Sequence, residues 1–255
     1  MKAAAGGLLL LAGAAAPALG QAIEADRPGL LFAGSVLDRG RIQIELGAPQ
    51  LAWSADRGQE TRLVSFPSFL RVGLGHGLEV QVGHSLVNHL SETGQGRSRS
   101  ETGFGDLSVA LKIARAGARA RPGLVVVASV GLPTGEGPFT SGDPLLGLQA
   151  QAVWSIGGGL SVGALAGYSR AAGGGSDATS GTLALSLGAA IDSSWAVYAE
   201  AAYCPRFERT ADTAHIGGGV TRIIGERVQF DEFVNCGLND ATADWTAGTG
   251  IAVRF

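Results

Sequence analysis

The sequence predicts an all-β fold, a transmembrane antiparallel up-and-down β-barrel of about twelve strands. Three observations predict it: a closing strand with one apolar face, side-chain alternation along most of the chain, and connections that alternate between long and short. The closing strand runs from Trp245 to Phe255. Phe255, Val253, Ile251, Thr249, Ala247 and Trp245 share one parity, and Arg254, Ala252, Gly250, Gly248 and Thr246 share the other. Successive side chains of a strand point to opposite faces, so one face is mostly apolar with an aromatic at each end. Strands of outer-membrane barrels are built this way. The terminal Phe255 is the feature that barrel-assembly machinery would recognise. A soluble sandwich would instead bury its large aromatics mid-strand between two sheets.

The other strands follow in order. Ile42, Ile44 and Leu46 alternate with Gln43 and Glu45, and Pro49 then shifts the parity, which predicts a bulge. Val64, Phe66, Leu70, Val72 and Leu74 oppose Phe69 and Arg71; Val80 and Val82 oppose Glu79 and Gln81. Leu107, Val109, Leu111 and Ile113 oppose Asp106, Ser108 and Lys112, and Leu146 and Leu148 oppose Gln149 and Gln151. Leu183, Leu185 and Leu187 oppose small residues, and Val197 and Tyr203 oppose Glu200. Short turns fall near 75, 157, 193 and 226, with a longer connection near 118. Long polar loops are expected near 57, 95, 139, 174, 208 and 241. Barrels of this kind have short periplasmic turns and longer external loops. With both termini periplasmic, Trp154, Trp195 and Phe255 form one interfacial girdle, and Tyr168, Tyr203 and Trp245 the other.

Residues 1–22 read as a secretory signal peptide: Met1-Lys2, an apolar run from Ala3 to Ala16, then small residues with cleavage after Ala18 or Ala22. Residues 23–255 form a single barrel domain, opening with a polar segment, Ala25–Gly29. The chain is therefore expected to be exported to the bacterial outer membrane, with outer-membrane lipid as its surroundings. No later stretch holds about 18 unbroken apolar residues, which excludes a helical polytopic protein. The net charge of -3 gives no reason to expect nucleic acid as a partner. In an exported chain, Cys204 and Cys236 leave a disulfide and two free thiols equally open.

No catalytic, metal or cofactor constellation emerges, so an enzyme is not expected. A barrel lipid-modifying hydrolase would need Ser and His on one face, whereas His84 and Ser85 are adjacent and point apart. No His or Cys spacing fits zinc. Gly157–Gly159 and Gly217–Gly219 lack the Lys of a phosphate loop. What remains is an inward face whose candidate lining residues are Glu45, Arg71, Glu79, Gln81, Asp106, Lys112, Gln149, Gln151, Glu200, Asp231 and Arg254, with Gln43 beside them. They form a self-satisfying charge network, a polar solute path, or both. About twelve strands close into a cylinder roughly 25 Å across, wide enough for small solutes once side chains are in place.

Four stretches carry a family resemblance: Ala25–Gly29 (ADRPG), Gly103–Lys112 (GFGDLSVALK), Gly131–Gly135 (GLPTG) and Gly237–Asp240 (GLND) leading to Arg254-Phe255. In this order, over the whole mature chain, the sequence resembles the outer-membrane transporter family associated with the meta-pathway of phenol degradation. The resemblance implies a passive channel for small solutes, hydrophobic or aromatic ones among them. A closed structural or adhesive barrel acting through its external loops is the alternative. Glu232 departs from the small or apolar residue usual on its outward parity, so an inward-turning bulge or a shifted parity is expected there.

Overall fold

The computed structural model describes residues 22–117, 121–173, 179–207 and 211–255; the expected signal peptide thus lies almost wholly outside the described residues. The strands are β1 Ile42–Asp56, β2 Gln59–Gly75, β3 Leu78–Gly94, β4 Arg97–Gly103, β5 Leu107–Arg115, β6 Gly123–Leu132, β7 Leu145–Gly157, β8 Leu160–Ala171, β9 Thr179–Ala190, β10 Trp195–Cys204, β11 Thr213–Ile224, β12 Val228–Gly237 and β13 Trp245–Arg254. Every neighbouring pair is antiparallel, and the ring closes where β1 meets β13, from Gln43 opposite Arg254 to Trp53 opposite Trp245. The result is a closed barrel of twelve strands, with β4 as an extra piece. β4 pairs only with β3, in line with β5 but nearer the loop end. The bulge expected at Pro49 is present, as a register shift between Gly47 and Gln50 against β13 and between Leu46 and Gln50 against β2.

The apolar parity faces outward and stays uncovered. Leu183 is 52% exposed, and Leu185 and Leu187 are each 62% exposed. No second layer packs on them, so their apolar area is left for lipid tails. At the turn end of the strands Trp154, Trp195 and Phe255 are exposed, and Arg222 lies over the Trp195 ring at 5.1 Å. At the loop end Trp53 stacks on Trp245, 6.2 Å between centroids, and Tyr168 and Tyr203 are exposed.

Two expectations about the loops are corrected. The connections near 57 and 95 are tight turns, with positive φ at Arg57 (47°) and Gly58 (80°), and at Gln95 (50°) and Gly96 (74°). Such paired positive φ values match hairpin strand twist. The polar residues around them continue β1–β4 as regular ladders, because backbone pairing needs no apolar side chain. β2 and β3 each have 17 residues. At about 3.3 Å per residue and a tilt near 40° they rise roughly 40 Å, well beyond an apolar band about 25 Å tall.

Glu232 is also corrected. It pairs with Val220 and Thr249 without a bulge, and is exposed on the outward face. Nothing in the structure explains a carboxylate there.

Candidate functional site

The lumen is occupied. Residues 22–41 form no strand; they enter and leave at the turn end and fold inside the ring. Ile23 N donates to Glu226 O at 3.0 Å in the β11–β12 turn, and Gly40 N donates to Gly73 O at 2.9 Å near the end of β2. Between these anchors the segment makes a hairpin-like plug with its tip near Pro28–Leu31. Its own carboxylates tie its two arms together: Glu24 accepts from Gly34 N at 2.8 Å and Ser35 Oγ at 2.6 Å, and Asp26 accepts from Ala33 N at 2.8 Å.

An irregular backbone at membrane depth must find a partner for every amide. Wall side chains supply several of them. Glu45 accepts from Asp26 N and Arg27 N, Glu79 from Leu37 N, and Glu200 from Leu30 N. Gln151 accepts from Phe32 N at 2.7 Å and donates to Phe32 O at 2.8 Å. Gln229 handles Ala25 N and Arg27 O in the same way, at 3.4 Å each. Apolar contacts follow the same seam. Leu30, Leu31 and Phe32 pack on Leu165, Ala184 and Ala202, and Ile23 and Ala25 cluster with Ala252. A Cβ on Gly163 would collide with Leu31, so glycine there lets the plug approach β8.

The charges concentrate where β1, β2, β3 and β5 meet the plug. Arg71 is 1% exposed and grips Glu79 twice, at 2.7 and 3.0 Å, and Glu45 at 2.9 Å; Asp26 lies 3.4 Å away. Lys112, fully buried, reaches Asp26 at 2.7 Å, and Gln81 reaches it at 2.6 Å. A second pair, Arg27–Asp231 at 3.2 Å, joins the plug to β12. Such pairs offset their own desolvation only when complete. Removing one partner leaves a bare buried charge, at a cost of about 3–5 kcal/mol.

Open space flanks the plug. One cavity of about 360 Å³ lies against β7–β11, lined by Ser161, Gly163, Ser186, Gly188, Tyr198 and Glu200 and by plug residues Pro28, Gly29 and Leu31. Toward the loop end lie cavities of about 400 Å³, beside Phe69, Gln81, Ser129 and Gln149, and about 250 Å³, beside Gln50, Glu200, His215 and Asn235.

Of the residues expected inside, Glu45, Arg71, Glu79, Gln81, Lys112, Gln151, Glu200 and Asp231 all touch the plug. Gln149 lines the loop-end cavity with the plug tip. Arg254 donates to Glu226 O at 2.9 Å and Ala22 O at 3.4 Å, at the turn-end mouth. Asp106 precedes β5 and lies outside the strand. Its carboxylate accepts from Gly135 N, Ser141 N and Ser141 Oγ, pinning the 133–144 loop. Burial opposes ionisation at Asp106, but the bonds from Ser141 and Gly135 prevail and lower its pKa below the usual carboxylate value. Cys204 and Cys236 are free thiols. β11 runs between their strands, where Cys204 pairs with Thr213 and Cys236 with Ile216, so they are two inter-strand spacings apart and also offset along the strand, well beyond disulfide reach. The His84 ring lies against Phe104, and Ser85 Oγ bonds Asn88, so the two make no catalytic pair. Among the described residues no group of His, Cys, Asp and Glu could hold a metal.

The sequence reading missed the plug. Its signal was the non-alternating run Ile23–Arg41, whose Glu24, Asp26 and Arg27 have no strand to sit on.

A closed ring, a lipid-facing apolar belt and a filled interior define a transmembrane β-barrel of the outer-membrane type. The family model described as "Putative MetA-pathway of phenol degradation" matches residues 25–255, and the chain belongs to that family. No curated protein sequence matches it. Among solved structures the chain is similar to an outer membrane channel from Pseudomonas putida F1, with a TM-score of 0.70, 15% identity, and coverage of 90% of this chain and 99% of that one. It is also similar to the translocator domain of the autotransporter NalP from Neisseria meningitidis, at TM-score 0.61, 12% identity, and coverage of 86% and 90%. The porin KdgM, solved in complex with disordered oligogalacturonate, matches at TM-score 0.54, 9% identity, and coverage of 84% and 99%. At these identities the likeness is one of fold.

Proposed function

We propose that this protein is a passive outer-membrane channel for small solutes, hydrophobic or aromatic ones among them, exported by the signal peptide of residues 1–22. The observation that carries this reading is the pair of open spaces on either side of the plug, about 400 Å³ toward the loop end and about 360 Å³ against β7–β11. Each has the volume of a small-molecule site. The tip residues Pro28 and Gly29 line both, so a small shift of the tip would join them. The wall residues Gln81, Gln149, Gln151 and Glu200 would line the path, with Arg254 at its periplasmic mouth. Assembly would run through the exposed terminal Phe255.

The test is planar-bilayer conductance of the purified protein together with solute flux into liposomes. Small single-channel steps are expected, and deletion of residues 23–40 should enlarge them. A silent bilayer and no flux from folded protein would overturn the reading in favour of a closed structural or adhesive barrel. The dense bonding of the plug is the observation that favours that second reading.

A further inference from the structure

Glu200 is the wall residue that lines both the cavity against β7–β11 and the loop-end cavity beside His215. Opposite it stands the plug tip. Leu30 N donates to Glu200 Oε2 at 2.9 Å, and a Cβ added to Gly29 would lie 2.9 Å from the same oxygen and 3.3 Å from the Tyr198 ring. On this side of the barrel the two spaces therefore meet at the seam between Gly29 and Glu200.

The cations of the lumen are spent elsewhere. Arg71 and Lys112 are committed to Glu45, Glu79 and Asp26, and Arg27 is committed to Asp231. Among the described residues no cationic side chain is ion-paired with Glu200, although it is only 4% exposed. Nearby, Asp231 Oδ2, Asn235 Oδ1, the Tyr198 hydroxyl and His215 Nε2 are all buried without a hydrogen-bond partner, as is Nε of Arg27, whose charge is already paired with Asp231. Asp231 itself is 2% exposed. Asp231 Oδ2 and Asn235 Oδ1 can only accept, and bare buried acceptors are costly, so they offer places for donors; the Tyr198 hydroxyl and His215 Nε2 can serve either way.

Resting on the channel reading, we propose that the Gly29–Glu200 seam is the charge-selecting constriction of the passage, and that it favours small cations, protonated amines among them, over anions. A unit charge about 4 Å away in a water-like medium concentrates counter-ions roughly fivefold.

The test is the reversal potential of the full-length mature channel under gradients of potassium chloride and of methylammonium chloride. Wild type should prefer cations. Glu200→Gln should lower the cation-to-anion permeability ratio several-fold, toward unity. Ser186→Lys places an ammonium directly across from Glu200 in the β9–β10 ladder, neutralises it, and should likewise bring the ratio toward unity. Glu232→Gln removes the same charge from the outer face and should leave the ratio unchanged. If Glu200→Gln does not fold, as judged by heat-modifiable gel mobility, Ser186→Lys decides by the same criterion. An anion-preferring wild type, or a folded variant set with an unaltered ratio, overturns the proposal while leaving the channel standing. A non-conducting wild type overturns both.

Discussion

The two sides of this barrel hold the plug by different means. On the β1–β5 side the wall offers long side chains bearing charge, and the plug is bound through Glu45, Arg71, Glu79, Gln81 and Lys112. On the β7–β11 side the inward residues are small, such as Ser161, Gly163, Ser186 and Gly188. There the plug touches through Leu30, Leu31 and Phe32, with Gln151 and Glu200 as the polar contacts, and an open cavity remains. The difference teaches a division of labour toward the turn end, where one wall anchors and the other leaves room; the cavity of about 400 Å³ beside Phe69 and Gln81 lies nearer the loop end, beyond the charge network. A charge network holds a segment in one geometry because every member needs its partner. Small residues against a few apolar side chains impose no such exclusivity.

The comparison breaks most sharply at Arg71. Arg71→Ala leaves Glu45, Glu79 and Asp26 facing one another without their shared cation, so a loss of about 3–5 kcal/mol is expected. Denaturant unfolding in detergent measures it, and larger conductance steps should accompany it as the plug loosens. An unchanged midpoint would show that the charged side is not the anchor. On the opposite wall, Ser161→Phe should fill the cavity and sharply reduce conductance. The unfolding midpoint should stay within about 1 kcal/mol of wild type, since the change meets open space and no network.

Smaller effects sharpen the picture away from the plug. Glu232→Leu replaces an outward carboxylate with the residue type its neighbours carry, and should stabilise the barrel in lipid by about 1 kcal/mol. Heat-modifiable mobility against temperature reads the change; destabilisation would mean that Glu232 meets a polar partner. Asp106→Asn should free the 133–144 loop for protease at little cost to the barrel, under about 1 kcal/mol for a partly exposed carboxylate outside the strands. The folded pKa of Asp106 is lowered, so its contribution is fully present above the unfolded value of about 3.9 and fades as pH falls through the lower folded one. Wild-type loop protection should thus persist at neutral pH and disappear only in strong acid, while the Asn variant lacks it throughout.

Legibility followed the range of the interaction. Leu183, Leu185 and Leu187 were readable as outward because lipid contact asks only for parity, a property of neighbouring residues. Glu45, Arg71, Glu79 and Lys112 were readable as inward for the same reason, but not as the ligands of a plug. The ladders of β1–β4 beyond the membrane band were misread as loops. Polar composition signals a loop only where backbone pairing is absent, and here distant strands provide it. Asp106 continued the alternation of β5 on paper, yet its carboxylate is taken by Gly135 and Ser141, contacts that the 133–144 loop brings from outside the strand.

By itself, the sequence determined the barrel, its outward belt, its aromatic girdles and the inward residues of the strands themselves, since each is set by a period-two pattern against a uniform apolar solvent. Only the tertiary structure decided that residues 22–41 fold back into the ring, that Glu200 sits where two cavities meet, and that Cys204 and Cys236 stay apart. Those outcomes depend on which groups from remote strands arrive within about 3 Å of one another, and no local pattern encodes that distance.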